Sequence, residues 1–153
     1  MKHSNLLVPF CIFVLLFSCG KKKDTTNRTV NTSERNVAAL QKTDLQQSIE
    51  AGQKIYQNLC VQCHLPNGKG VAGNFPPLAG SNWLTEKRTE SIRAVKYGQQ
   101  GEIVVNGKIY NGVMTPMGLS DAEVADVMNY IMNSWGNVQE EIVTEDEVSA
   151  VKK

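Results

Sequence analysis

Cys60-Val61-Gln62-Cys63-His64 is the stretch whose reading decides this chain. Two cysteines three positions apart with a histidine directly after form the C-x-x-C-H pattern of covalent haem attachment. The spacing has a chemical reason. Two thiols within one helical turn can add to the two vinyl groups of a porphyrin. The adjacent imidazole is then held under the iron as an axial ligand. The chain has four cysteines and two histidines. Cys11 and Cys19 belong to an apolar N-terminal run, so Cys60 and Cys63 alone remain for chemistry in the folded part. A zinc site wants four ligands and finds at most three here. A thioredoxin-like redox pair would need a βαβ context, and none is visible. A structural Cys60–Cys63 disulfide would leave His64 without a role.

The N-terminus sets the compartment. Met1-Lys2-His3 is a short basic start, and Leu6 to Phe17 is almost unbroken apolar sequence. Residues 1–18 therefore read as a secretory signal. The run is shorter than the about 20 residues a membrane-spanning helix needs. It closes in Leu16-Phe17-Ser18-Cys19-Gly20, which looks like a bacterial lipobox with cleavage before Cys19 and lipid on its thiol. An uncleaved anchor helix is the alternative. Both place the remainder at the cell envelope, on the periplasmic side, where bacteria attach haem covalently. Lys21-Lys22-Lys23 would add attraction to anionic headgroups, or be no more than a solvated basic start.

Residues 19–43 are rich in Lys, Thr, Asn, Ser and Arg and poor in large apolar groups. Such a stretch buries too little to offset its ordering entropy, so it reads as a flexible linker, with a short helical piece around Asn36 to Lys42. Residues 44–153 suit one domain with a short C-terminal tail. Once Lys2 leaves with the signal, basic residues equal the 15 acidic ones. No basic patch points to nucleic acid. The acidic stretch Glu140 to Glu147 reads as a solvated end or a weak electrostatic guide.

Three helices follow from the pattern. Thr43-Asp44-Leu45-Gln46 has the form of a capping box, and Leu45, Ile49, Ile55, Tyr56 and Leu59 then share a face. This helix delivers Cys60, and Pro66-Asn67-Gly68-Lys69-Gly70 ends it as a turn. A second helix covers Thr89 to Tyr97, with Gly98 as its stop. Ile103-Val104-Val105 and Lys108-Ile109-Tyr110 flank Asn106-Gly107, a hairpin signal. The third helix opens on the capping box Ser120-Asp121-Ala122-Glu123 and carries Val124, Val127, Met128, Ile131 and Trp135 at three-four spacing. A short final helix starts at Thr144. The fold class is all-α, with about three main helices wrapped around one covalent haem and a short β-hairpin.

Haem iron takes a second axial ligand. No other histidine survives removal of the signal, so methionine is the candidate, a pairing that raises the reduction potential. Met114 and Met117 lie in the loop Gly112-Val113-Met114-Thr115-Pro116-Met117-Gly118. Met128 reads as core, and Met132 as a packing or solvent residue. Spacing alone does not choose between Met114 and Met117.

From about Leu45 to Asn137 the chain resembles a class I c-type cytochrome, similar to the mono-haem domains of oxidase subunits and nitrite-reductase fusions. The matching pieces are Gly52 and Tyr56 ahead of Cys60–His64, Asn67-Gly68-Lys69-Gly70, Phe75-Pro76-Pro77-Leu78-Ala79-Gly80, Val105-Asn106-Gly107, Tyr110–Met114, and Leu119-Ser120-Asp121 leading to Asn133–Asn137. In that family the ligand is a methionine followed closely by proline, about five residues before the leucine preceding the last helix. Met114 fits that position. The family usually has proline directly after the methionine. Here Thr115 intervenes before Pro116, which keeps Met117 as the alternative.

The resemblance further implies that the Pro76 carbonyl accepts the proton on the ring nitrogen of the haem histidine. Leu78 would pack on the porphyrin. Gly52 would let the first helix cross the last beside Val127 and Tyr130. Trp83, Tyr110 and Trp135 would sit near the haem edge or propionates. The expected function is a membrane-tethered electron carrier with one covalent haem c, not an enzyme. Its partners would be redox proteins as donor and acceptor, with no small-molecule substrate. They would dock on the haem edge rimmed by the loops after His64 and around Met114. The alternatives are a haem-carrying subunit of a dehydrogenase or reductase complex, and a haem-based gas sensor.

Overall fold

The computed structural model describes residues 32–153. Residues 1–18 with their signal reading, Cys19, and the linker up to residue 31 lie outside this range. The described elements run α1 (Thr32–Leu59), α2 (Val61–His64), α3 (Asn82–Glu86), α4 (Arg88–Tyr97), β1 (Gln99–Val105), β2 (Lys108–Met114), α5 (Asp121–Met132) and α6 (Glu145–Ala150). The strands form one two-stranded antiparallel sheet.

Helix α1 begins earlier than the sequence pattern indicates. The capping motif at Thr43 is not a helix start. The helix runs unbroken through it from Thr32, so residues 32–43 of the expected linker are helical. Residues 32–42 contain no Gly or Pro, and Ala38, Ala39, Leu40, Gln41 and Lys42 are good helix formers. Val37 and Leu40 in this part are exposed. Packing starts later, where Leu45, Ser48, Ile49, Gly52, Ile55 and Tyr56 turn inward at three-four spacing.

That face lies across α5. The capping box at Ser120 starts α5 as expected. Ser120 Oγ accepts from the Glu123 N–H, and the Glu123 carboxylate accepts from the Ser120 N–H at 2.9 Å. Val124, Val127, Met128 and Ile131 are buried along one stripe. The crossing point is Gly52. A Cβ there would collide with the Asp126 carbonyl and sit 2.9 Å from the Tyr130 Cβ. The missing side chain lets the two backbones touch, and Tyr56, one turn on, meets Tyr130 with ring centroids 5.3 Å apart.

The C-terminal stretch is not a solvated tail. Val143, Val148 and Val151 are buried. Asn129 holds this segment to α5: its Nδ2 donates to the Val143 carbonyl and its Oδ1 accepts from the Val143 N–H, at 2.9 and 2.7 Å. The same Nδ2 donates to Ser48 Oγ on α1. Helix α6 is capped by Thr144, whose side chain accepts from the Glu147 N–H. The Glu147 carboxylate turns to Arg88 instead of closing a capping box, with bonds of 2.7 and 2.8 Å. Arg88 also donates to the carbonyls of Glu141 and Ile142. One guanidinium therefore binds α4 to the whole C-terminal strap. Met132 is buried, and its sulfur faces the same guanidinium at 3.8 Å.

Three outcomes follow from these contacts. Gly52→Ala should destabilise the domain by about 1–3 kcal/mol or more, since α1 and α5 must move apart to admit a methyl. Chemical denaturation of the haem-loaded protein measures this. Arg88→Ala should cost about 1–3 kcal/mol, because a carboxylate and two carbonyls lose their shared donor. The Glu123 carboxyl is held below its usual range, first by the Ser120 N–H and then by its hydroxyl. A depressed carboxyl stabilises the fold above its ordinary value near 4.5. That contribution disappears as pH falls through the lower folded value. Glu123→Gln should therefore flatten the acid limb of a stability–pH curve.

Candidate functional site

The haem-attachment motif begins where α1 ends. The Cys60 N–H still donates to the Tyr56 carbonyl, and the Cys63 and His64 N–H groups donate back to the Cys60 carbonyl. The five residues thus form one helical turn, as their spacing requires. Leu65 ends it with a φ of 64°. The chain then reverses through the glycine-rich turn, and the Gly70 N–H bonds the His64 carbonyl at 3.0 Å. The returning strand of loop passes close beneath. A Cβ on Gly70, whose φ is 61°, would meet the Pro76 carbonyl oxygen at 2.6 Å. Glycine is required there for both reasons.

That close return aims the Pro76 carbonyl at the imidazole. His64 Nδ1–H donates to it at 3.1 Å. A carbonyl only accepts, so the proton sits on Nδ1 and the lone pair on Nε2 is left for a ligand. His64 is buried. Burial lowers its proton affinity, and the Pro76 bond partly opposes this. Cys60 and Cys63 are free, half-buried thiols. Burial, then the neighbouring Cys63, pushes the Cys60 thiol up to about 11. Tyr56 lies behind the motif, with its hydroxyl donating to the Leu65 carbonyl at 2.7 Å. Burial raises its proton affinity well above the usual phenol range, with smaller contributions from Cys60 and Tyr130.

Cys60, Cys63 and His64 open onto a largely apolar cavity. Phe75, Pro76, Pro77 and Leu78 supply one side, and Trp83, Leu84 and Val95 another. Val127, Met128 and Ile131 come from the stripe of α5, so part of its buried face serves as cavity wall. The inner face of the hairpin adds Ile103, Val105 and Tyr110. Met114 and Met117 both line the same space. The cavity holds roughly 1200 Å³ of space up to open solvent. Two thiols, one oriented imidazole and two thioethers around apolar walls fit a covalently attached haem.

Three sequence expectations change in detail. Met114 is not in a loop. The ladder runs past the short arms legible in sequence, and Met114 is the last residue of β2, paired with Gln99. Met117 lies in the coil that follows. Trp135 does not line the cavity. It packs tilted against Tyr56 and edge-on to Tyr130 at centroid distances of 5.0 and 5.5 Å, and its indole N–H donates to the Pro66 carbonyl at 3.0 Å. Trp83 and Tyr110 do line it. Helix α3, which carries Trp83, was not legible: five residues are too few to show a period.

The family model for cytochrome c matches residues 49–135. Among curated proteins the chain is 44% identical over 93 residues to cytochrome c-552 of Thermus thermophilus, covering 58% of this chain and 70% of that protein. It is 36% identical over 91 residues to the cytochrome c subunit of the quinone alcohol dehydrogenase of Gluconobacter oxydans, covering 57% of this chain but only 19% of the relative. It is 32% identical over 149 residues to the gluconate 2-dehydrogenase cytochrome c subunit of Pantoea cypripedii, 90% of this chain and 31% of that one. The C-x-x-C-H turn, the oriented imidazole and the apolar cavity thus stand within a matched family, and the chain belongs to the cytochrome c family of electron-transfer proteins, non-catalytic themselves and carrying covalently bound haem c.

Proposed function

We propose that this chain is a membrane-tethered, extracytoplasmic one-electron carrier with a single haem c, attached through Cys60 and Cys63 and ligated by His64 and Met114. The observation that carries the reading is the convergence on one apolar cavity of both thiols, the imidazole and Met114. The chain contains a single C-x-x-C-H, which supports one haem. When bound, the haem supplies a one-electron couple. The Pro76 carbonyl fixes the His64 ring and makes its free nitrogen a better donor. Apolar walls, including Leu78, keep water from the site and disfavour the more charged oxidised form. A thioether as the other ligand acts in the same direction. Were His64 and Met114 both to hold the iron, this chain would leave it no position for a substrate.

Cys19 within its lipobox is the proposed anchor, and its position after an apolar run supports the periplasmic face of the cell envelope. Among the described residues no helix is long and apolar enough to cross a membrane. Redox proteins are the proposed donor and acceptor. Phe75 and Val113 are exposed while lining the cavity, and Val71 pairs with Phe75 beside them. This apolar rim suits a transient redox encounter. A second reading, a haem subunit of a dehydrogenase complex, is favoured by the relatives named as dehydrogenase subunits. Co-purification with one enzyme at fixed ratio distinguishes it from a free carrier.

The ligand assignment is tested on the haem-loaded protein by optical spectroscopy and redox titration. The oxidised form should show the weak sulfur-to-iron charge-transfer band, and the reduced form should ignore carbon monoxide. Met114→His should abolish the band, stay six-coordinate and lower the potential. The drop should be on the order of a hundred millivolts or more, since axial ligands set haem potentials over about 0.8 V. Met117→Leu should leave the spectrum unchanged. The reverse pattern assigns the iron to Met117, and rapid carbon monoxide binding by the unmodified protein points to a gas sensor.

A further inference from the structure

The β1–β2 hairpin is one wall of the haem cavity, yet it is held from one side only. Its inner face carries Ile103, Val105 and Tyr110. On its outer face Val104 and Ile109 are 50 and 61% exposed. A lone two-stranded hairpin is marginal in water. At its base it is fixed by the chain, through Gly98 into α4 and through Met114 into the coil before α5. Its tip is Asn106-Gly107, both with positive φ, as a tight hairpin turn requires.

The tip is fastened by a reciprocal pair. The Asn106 N–H donates to Asn82 Oδ1 at 2.7 Å, and the Asn82 N–H donates to Asn106 Oδ1 at 2.9 Å. Asn106 Nδ2 donates to the Gly80 carbonyl at 3.0 Å. The receiving loop is itself anchored. The Gly80 N–H donates to Asn137 Oδ1 at 2.8 Å, and Asn137 Nδ2 donates to the carbonyls of Leu78 and Ile131, both at 2.9 Å. The tip is thus tied, through three asparagines, to the wall that bears Leu78 and to the end of α5. Asn106 is exposed. These bonds therefore bury no polar group that must be satisfied and add little to global stability. A glycine or aspartate would serve the turn equally well. Only asparagine offers both the acceptor and the donor used here.

We propose that the Asn82–Asn106 pair is a latch that holds the hairpin closed over the haem, making both asparagines positioning residues for the electron-transfer site. This rests on the cavity being the haem site. It does not depend on which methionine binds the iron. With the latch made, Tyr110, Val105 and the base bearing Met114 are held against the cavity. With it broken, the hairpin opens about its base and solvent reaches the haem.

Hydrogen exchange and redox titration of the full haem-loaded protein test this. In the unmodified protein the β1–β2 ladder amides should exchange as a group, faster than those of α1 and α5. Asn82→Ala and Asn106→Gly should each speed hairpin exchange roughly tenfold, the effect of about one hydrogen bond. They should leave α1 and α5 exchange unchanged and lower the potential, because solvent favours the charged oxidised form. Asn82→Asp keeps the acceptor for the Asn106 N–H but sets a carboxylate beside Glu86, to which Asn82 Nδ2 donates at 3.2 Å. It should leave hairpin exchange within a fewfold of the unmodified protein, and exchange alone is read for it because its charge lowers the potential independently. The latch is overturned if hairpin amides exchange only with global unfolding, if the variants change neither exchange nor potential, or if exchange rises equally in α1 and α5. Failure of the haem reading itself would show separately, as loss of the haem spectrum in the unmodified protein.

Discussion

The contact at Gly52 carries the rest of the structure. Helices α1 and α5 approach until backbone meets backbone, with the Asp126 carbonyl where a side chain would otherwise be. One turn beyond, Tyr56 is caught between Tyr130 and Trp135. One turn further, α1 ends at the attachment motif. The depth and direction at which Cys60, Cys63 and His64 enter the cavity are therefore set by how closely two helices cross about two turns away. A wider crossing would lift the imidazole away from the Pro76 carbonyl, since that carbonyl belongs to a loop held by its own bonds to Gly68.

A domain of this size has little apolar material, and this one divides it between a core and a cavity wall. Tyr56, Val124, Val143 and Val148 pack among themselves. Val127, Met128 and Ile131 pack inward yet also face the haem site. A haem seated there would pack against these same side chains. The C-terminal strap complements this from the far side. Arg88 and Asn129 hold it by hydrogen bonds, while Val143, Val148 and Val151 fill the space along α4 and α5.

How much of this was legible depends on whether the deciding contacts were local. The attachment turn, the Ser120 capping box, the Asn106-Gly107 hairpin and the stripe of α5 are written within a few consecutive residues, and the structure has each of them. The bond from His64 to Pro76 followed from resemblance, since nothing in the spacing alone could supply it. The start of α1 was misread because a local capping motif at Thr43 competes with a longer run of helix formers, and propagation won. The strap was misread because acidic residues dominate its composition, while its anchors are Arg88 and Asn129, far away in sequence. Trp135 was misplaced because a tryptophan near a haem pocket has two apolar surfaces to choose between. Its indole N–H found the Pro66 carbonyl, on the side away from the cavity.

The site combines walls of unequal firmness. The motif turn is backed by α1 and the aromatic cluster, and the Pro76 loop by Gly68 and Gly70. The α5 stripe lies in the centre of the core. The hairpin differs: its outer face is in water, and polar bonds at one turn fasten its tip. Met114 ends its second strand, and Met117 lies three residues beyond. The iron's proposed sulfur ligand is thus joined to the softest wall, whereas the imidazole is joined to the firmest. That asymmetry makes chemical sense in an electron carrier. The histidine must be fixed before and after attachment, so its partners belong to the framework. On the proposed ligation the thioether would be needed only once a haem is in place, and the hairpin that carries Met114 would hold it against the cavity.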